Sequence, residues 1–88
     1  MSKRLYVGNI PFKMTESELV DLLTASGTVV AVFIVKDKTS GKSKGYGFVE
    51  MENPDMAKTA ITALNGQIVN GRILKVSFAI EREEKKSS

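Results

Sequence analysis

The sequence predicts an α+β domain with elements in the order βαββαβ: one four-stranded antiparallel sheet with two helices on a single face. Three observations carry that prediction. Four stretches rich in β-branched and aromatic residues are interleaved with two segments whose apolar residues recur at helical spacing. Each helical segment opens on a capping residue and closes at a glycine. The chain has 88 residues, 42% of them hydrophobic, which is enough for one small core and gives no sign of a second. No repeat, low-complexity block or interdomain linker interrupts it.

The elements follow in order. Residues 4–9 form the first strand, with Leu5 and Val7 on one side and Arg4, Tyr6 and Gly8 on the other. Thr15, with Glu18 three residues on, makes a capping box for the first helix, whose Leu19, Leu22, Leu23 and Ser26 run at helical spacing until Gly27. Residues 28–36 form the second strand; both of its faces are apolar, so periodicity alone does not say which points inward. Residues 37–44 are a polar connection of hairpin length containing Gly41, and residues 45–51 form the third strand. Asn53-Pro54 supplies an N-cap and a first-turn proline for the second helix, where Ala57, Ala60, Ile61 and Leu64 share a face before Asn65-Gly66 ends it. A second Asn-Gly pair, Asn70-Gly71, turns the chain into the fourth strand, residues 72–79, where Leu74, Val76 and Phe78 alternate with Lys75, Ser77 and Ala79. The domain is expected to span residues 1–80, followed by a charged, flexible tail over residues 81–88.

Composition closes several functional classes. The chain has no cysteine and no histidine, which excludes disulfides, thiolate nucleophiles, a Ser-His-Asp triad and the usual nitrogen and sulfur zinc ligands. No cofactor and no metal are expected. The longest apolar run, Val29 to Val35, is far short of the roughly 20 residues that span a bilayer. Neither a membrane segment nor a signal peptide is expected. The net charge of +3 is concentrated: between Lys36 and Lys44, four lysines (Lys36, Lys38, Lys42 and Lys44) face one acid, Asp37, while Glu16, Glu18 and Asp21 make the first helix acidic.

Two helices cover one sheet face only, so strand parity decides what the other face presents. In the third strand Tyr46 and Phe48 share a side with Glu50, opposite Gly47, Val49 and Met51. Burying an unpaired carboxylate costs several kcal/mol, so Glu50 marks the solvent side and the two rings go with it. Tyr6 lies on the side of Arg4, and Lys75 and Ser77 join that open face from the fourth strand. One ring could simply pack beneath a loop or the tail. Three exposed aromatics beside lysines and arginines, however, form the kind of surface on which nucleobases stack while cations neutralise phosphates.

The segments Leu5-Tyr6-Val7-Gly8-Asn9-Ile10 and Lys44-Gly45-Tyr46-Gly47-Phe48-Val49-Glu50-Met51 resemble the hexamer and octamer motifs of the RNA-recognition motif family. The resemblance extends over residues 4–79. It implies a ferredoxin-like sandwich with strand order 4-1-3-2, which sets the two aromatic strands side by side at the centre. It further implies that Tyr6 stacks on one base, Phe48 on its neighbour, Tyr46 against the sugars between them, and that Lys44 meets a phosphate. Asn9 is expected to shape the turn after the first strand, and Gly45 and Gly47 to permit close approach and strand bending. Two positions depart from the family pattern: Met51 where an aromatic is common, and Ser26-Gly27 where Phe-Gly is common. Both are expected to concern core packing. Alignment with the family also places Val32 and Ile34 beneath the helices and turns Phe33 and Val35 outward, making Phe33 a candidate contact for a third nucleotide or for a protein.

The leading expectation is therefore a single-stranded RNA-binding module, with no catalytic step, that stacks bases on Tyr6, Tyr46 and Phe48. Lys38, Lys42, Lys44, Arg4 and Lys75 would meet its phosphates. Single-stranded DNA is an alternative ligand, because stacking tolerates both sugars. A protein-interaction domain of the same fold is another, and an acylphosphatase-like hydrolase a third, although Ile10-Pro11-Phe12-Lys13 lacks the glycine-rich phosphate loop such an enzyme needs. Gly41-Lys42-Ser43 is no P-loop, since Lys36 stands where that motif has glycine, and Gly45-x-Gly47 is no dinucleotide fingerprint, since Glu50 does the same. A monomer in the cytoplasm, with the nucleus as the alternative, completes the expectation.

Overall fold

A computed structural model of the chain describes residues 3–79. Its elements are β1 (Arg4–Gly8), α1 (Glu16–Thr24), β2 (Val29–Lys36), β3 (Ser43–Met51), α2 (Pro54–Leu64), β4 (Ile68–Val69), β5 (Arg72–Ile73) and β6 (Lys75–Phe78). The main sheet runs β2-β3-β1-β6 with antiparallel neighbours throughout. Counting the four strands of this sheet alone, that is the 4-1-3-2 order, with β1 and β3 at its centre.

Both helices start as their caps dictate. The Thr15 Oγ1 accepts from the Glu18 amide at 3.1 Å, while Glu18 Oε1 accepts from the Thr15 amide at 2.9 Å. Asn53 Oδ1 accepts from the Met56 amide at 2.9 Å, one residue after which Ala57 begins the buried stripe of α2. Leu5, Val7, Ile34, Val49, Met51 and Val76 from the sheet, with Leu74 just before β6, meet Leu19, Leu23, Ala57, Ala60 and Leu64 from the helices, all of them buried. Met51 is fully enclosed, so its departure from the family pattern does concern the core. At Gly27 a Cβ would lie 2.6 Å from Met56 Cγ: the methionine fills the space beside the Ser26-Gly27 corner. The acidic α1 also serves the sheet, since Glu16 Oε2 accepts from the Ile34 amide of edge strand β2 at 2.9 Å.

The fourth strand differs from expectation. Residues 72–79 do not form one strand: after the expected turn at Asn70 (φ 50°) and Gly71 (φ 81°), both left-handed, β5 pairs back onto β4, and Leu74 separates it from β6. Leu74 then bonds through both its amide and its carbonyl to Gln67 and Gly66, and the chain reaches β1 only at Lys75. The third strand begins at Ser43 rather than Gly45, the first ends at Gly8, and the second begins at Val29. The expected tail, residues 81–88, lies outside the described residues.

Candidate nucleic-acid interface

The register lays the open face out in rows. Ser77, Tyr6, Phe48 and Phe33 are successive cross-strand partners in one row across all four strands. Lys75, Gly8 and Tyr46 form the next, and Arg4, Glu50 and Ala31 the row on the other side. Tyr6, Tyr46 and Phe48 form a triangle with ring centroids 5.9 to 6.3 Å apart, which holds each ring against two others. Phe48 is 41% and Phe33 59% exposed, whereas the two tyrosines are half-buried by this mutual packing. Their strand neighbours Leu5, Val7, Val49 and Met51 are all buried on the opposite face.

Two glycines shape this surface. Gly8 is covered by the Tyr6 ring, which lies so flat along β1 that a Cβ there would come within 2.7 Å of Tyr6 Oη. Gly47 lets β2 approach β3: a Cβ would collide with the Phe33 carbonyl oxygen and sit 3.0 Å from Ile34 Cα. The close approach expected at Gly47 is thus a backbone contact beside the row that carries Phe33 and Phe48.

The charged residues fall into distinct settings. Glu50 lies on the solvent face as parity requires, and it is paired, with Lys3 Nζ at 3.3 Å and Arg4 Nε at 3.8 Å. Arg4 therefore stands at the edge of the aromatic surface with its guanidinium already engaged, in the kind of exposed pair that is worth at most about 1 kcal/mol. Lys75 is exposed at the start of β6, in the row of Tyr46.

The lysine loop is built around Asp37. Its carboxylate accepts from the Thr39 and Ser40 amides at 2.8 and 3.0 Å, and its main chain bonds to Gly41 and Lys42. The Ser40 and Thr39 amides, with help from the charge of Lys44, hold its carboxyl below the ordinary value of 3.8. The loop's only acid is therefore turned onto backbone, while Lys38 and Lys42 remain exposed. Lys44 sits on β3 itself, next to an irregularity in the β2–β3 register at which Gly45 takes φ 87°. Strand parity does not carry through that irregularity.

Sequence reasoning missed two residues, Phe12 and Arg72. Phe12 is 60% exposed between β1 and α1, and the Arg72 guanidinium lies over its ring at 5.0 Å from the centroid. Asn9, at φ 57°, shapes the turn as expected and also accepts from Arg72 through Oδ1. A lone loop phenylalanine has no periodic signal, and no sequence feature pairs it with an arginine so distant in the chain.

The RNA recognition motif family matches residues 5–75, and the chain belongs to it. It is 47% identical over 75 residues to the 33 kDa ribonucleoprotein, chloroplastic, of Nicotiana sylvestris, covering 85% of this chain and 23% of that protein. To the human (Homo sapiens) cleavage stimulation factor subunit 2 tau variant it is 40% identical over 83 residues, 94% of this chain and 14% of that protein. Among solved structures, the Rna15 RRM with bound RNA (GU) superposes with a TM-score of 0.84 at 32% identity, covering 92% of this chain and 86% of that one. The chain thus spans less than a quarter of either relative's length. The Nicotiana protein is named as chloroplastic, so this likeness lends no support to the cytoplasmic expectation.

Proposed function

We propose that the domain binds single-stranded RNA on the open face of its sheet and does no chemistry on it. The observation that carries this is the row Tyr6, Phe48, Phe33 with Tyr46 alongside: aromatic rings held exposed on the face opposite the core. Tyr6 and Phe48 stack on successive bases, Tyr46 lies against the sugars, and Phe33 prolongs the surface toward the edge strand. Lys38, Lys42, Lys44 and Lys75 supply phosphate contacts, and Arg4 adds one by exchanging Glu50 for a phosphate. The family, and an RNA-bound structural relative, support the reading.

The test is a titration of the full chain with a fluorescent GU-repeat octamer at low salt, with the matching deoxyoligonucleotide alongside. Phe48→Ala and Tyr6→Ala are each expected to weaken RNA binding by about 1–3 kcal/mol with little loss of stability. The reading fails if both variants melt several degrees lower while whatever stays folded binds normally.

A further inference from the structure

The chain has two Asn-Gly pairs, Asn65-Gly66 and Asn70-Gly71, and the structure treats them oppositely. An asparagine before glycine is chemically labile, because the glycine nitrogen, unhindered by a side chain, can close on the asparagine's carboxamide carbon. Whether it does so depends on what holds the two reacting groups.

At Asn65 both are engaged. Asn65 Oδ1 accepts from the Val76 amide at 3.0 Å, and the Gly66 nitrogen donates to the Leu74 carbonyl at 2.9 Å. The Asn65 amide also donates to the Ile61 carbonyl at 2.9 Å, as the C-cap of α2. Freeing this pair means parting α2 from the chain that enters β6, among the buried Leu64, Leu74 and Val76. An opening of that kind lies close to global unfolding.

At Asn70 neither group is engaged. The Asn70 side chain and the Gly71 nitrogen have no hydrogen-bond partner among the described residues, and both residues are exposed. Conformation alone protects them. With φ 50° and 81° the pair forms a type I′ turn, in which the first central residue has ψ of about +30°, and this turns the Gly71 nitrogen away from the Asn70 side chain. The hairpin that imposes the turn is slight. It has the pairs Ile68 with Ile73 and Val69 with Arg72, and Ile68 and Ile73 are 69% and 51% exposed. Its anchors are Val69 on the core and the contacts of Arg72 and Ile73 with Asn9, all behind the turn. The turn therefore opens locally, with the core intact.

We propose that Asn70 is a site of spontaneous deamidation, gated by opening of the β4–β5 turn. In the open turn the Gly71 nitrogen attacks Asn70 Cγ: the new N–Cγ bond forms, the Cγ–Nδ2 bond breaks, and Nδ2 leaves as ammonia with the proton from Gly71. The succinimide left behind is opened by water at either carbonyl carbon, giving aspartate or isoaspartate at position 70. Nothing is oxidised or reduced. Both products place a carboxylate two residues from Arg72, where it competes with Asn9 Oδ1 for the guanidinium. Isoaspartate also adds a methylene to the backbone, which a two-residue turn cannot absorb while keeping Ile68 opposite Ile73.

The full chain is aged in mildly alkaline buffer and mapped over time by proteolysis and mass spectrometry, with isoaspartate detected by an isoaspartyl methyltransferase and a labelled methyl donor. A synthetic peptide of residues 62–74, which contains both pairs outside the fold, gives their intrinsic rates. The two pairs should react comparably in the peptide. In the folded chain Asn70 should react more slowly than in the peptide but about tenfold or more faster than Asn65. Asn70→Gly, which suits a left-handed position, should abolish the faster reaction. In the aged chain the amide resonances of Ile68 and Ile73 should shift while those of β1 and β3 stay in place. The proposal is overturned if Asn65 keeps pace with Asn70 in the folded chain, or if Asn70 stays intact there while the peptide is fully converted. It is also overturned if Asn70 reacts in the chain as fast as in the peptide, since the turn would then gate nothing, or if the faster reaction survives in Asn70→Gly.

Discussion

Gly8→Ala separates the aromatic surface from the fold beneath it. The added Cβ would lie 2.7 Å from Tyr6 Oη, 2.9 Å from Cε2 and 3.0 Å from Cζ, all at the far end of a rotatable side chain. Gly8 is not among the glycines with positive φ, so alanine brings no backbone strain. The relief is for the ring to swing off β1, away from Tyr46 and Phe48, whose centroids now lie 6.0 and 5.9 Å away. An aromatic pair is worth about 0.5–1.5 kcal/mol beyond its burial, and a displaced ring recovers part of what it loses. The net cost to the fold is therefore about 1 kcal/mol, a drop in Tm of roughly 4–8 °C for a domain this small. Binding suffers more: with Tyr6 out of place, the loss should match Tyr6→Ala, about 1–3 kcal/mol. Thermal melts followed by circular dichroism, and titration with the GU-repeat octamer, measure the two effects separately. The reasoning is refuted if Gly8→Ala binds RNA like the parent protein with Tyr6 ring resonances unchanged. It is equally refuted if the variant melts as a core lesion would while its folded fraction binds normally.

The other predictions test the remaining parts of the surface and its support. Met51→Ala, at a fully buried position, should destabilise by about 2–5 kcal/mol and leave the affinity of the folded fraction intact; an unchanged melt would mean the side chain is not core. If about three phosphates are neutralised, the slope of log affinity against log salt should be near −2, at roughly −0.7 per contact for single strands. Replacing Lys42 and Lys44 together by glutamine should flatten it, and an unaltered slope would remove the loop from the site. Phe33→Ala should weaken a longer oligonucleotide more than a dinucleotide; equal loss on both, or none on either, would end its role as a third-nucleotide contact.

What could be read from the sequence is what local alternation encodes. In β3, Glu50 sits at the parity of Tyr46 and Phe48, and the cost of burying a carboxylate was enough to orient the strand. The structure agrees, adding only that Lys3 and Arg4 pair with that carboxylate. β2 offered no such contrast, because a strand apolar on both sides gives a two-residue period nothing to distinguish. Family likeness turned Phe33 outward correctly, but the physical reason lies on another strand: the Phe33 carbonyl closes on Gly47, and Phe33 pairs with Phe48 in register. The β4–β5 hairpin was hidden for a different reason. The Asn70-Gly71 pair marked the turn, but the alternation of buried and exposed residues runs unbroken through Leu74 and Val76, so nothing in the hydrophobic pattern shows that β5 pairs with β4 and that the main sheet resumes only at Lys75.

That hairpin also explains why the edge of the site was illegible while its centre was plain. The central rings stand on strands, where each residue's face follows from its neighbours two positions away. Phe12 stands on a loop, and its placement depends on Arg72, 63 residues beyond the Asn9 that holds it. Arg72 donates to Asn9 Oδ1 from β5, whose Ile73 carbonyl accepts from Asn9 Nδ2. Were β6 to continue toward residue 72, its register with β1, in which Lys75 faces Gly8, would bring Arg72 opposite Pro11; the hairpin adds the bond from Asn9 Nδ2 to the Ile73 carbonyl. The small hairpin therefore does more than close a connection. It carries the guanidinium that lies over the Phe12 ring, just past the last residue of β1.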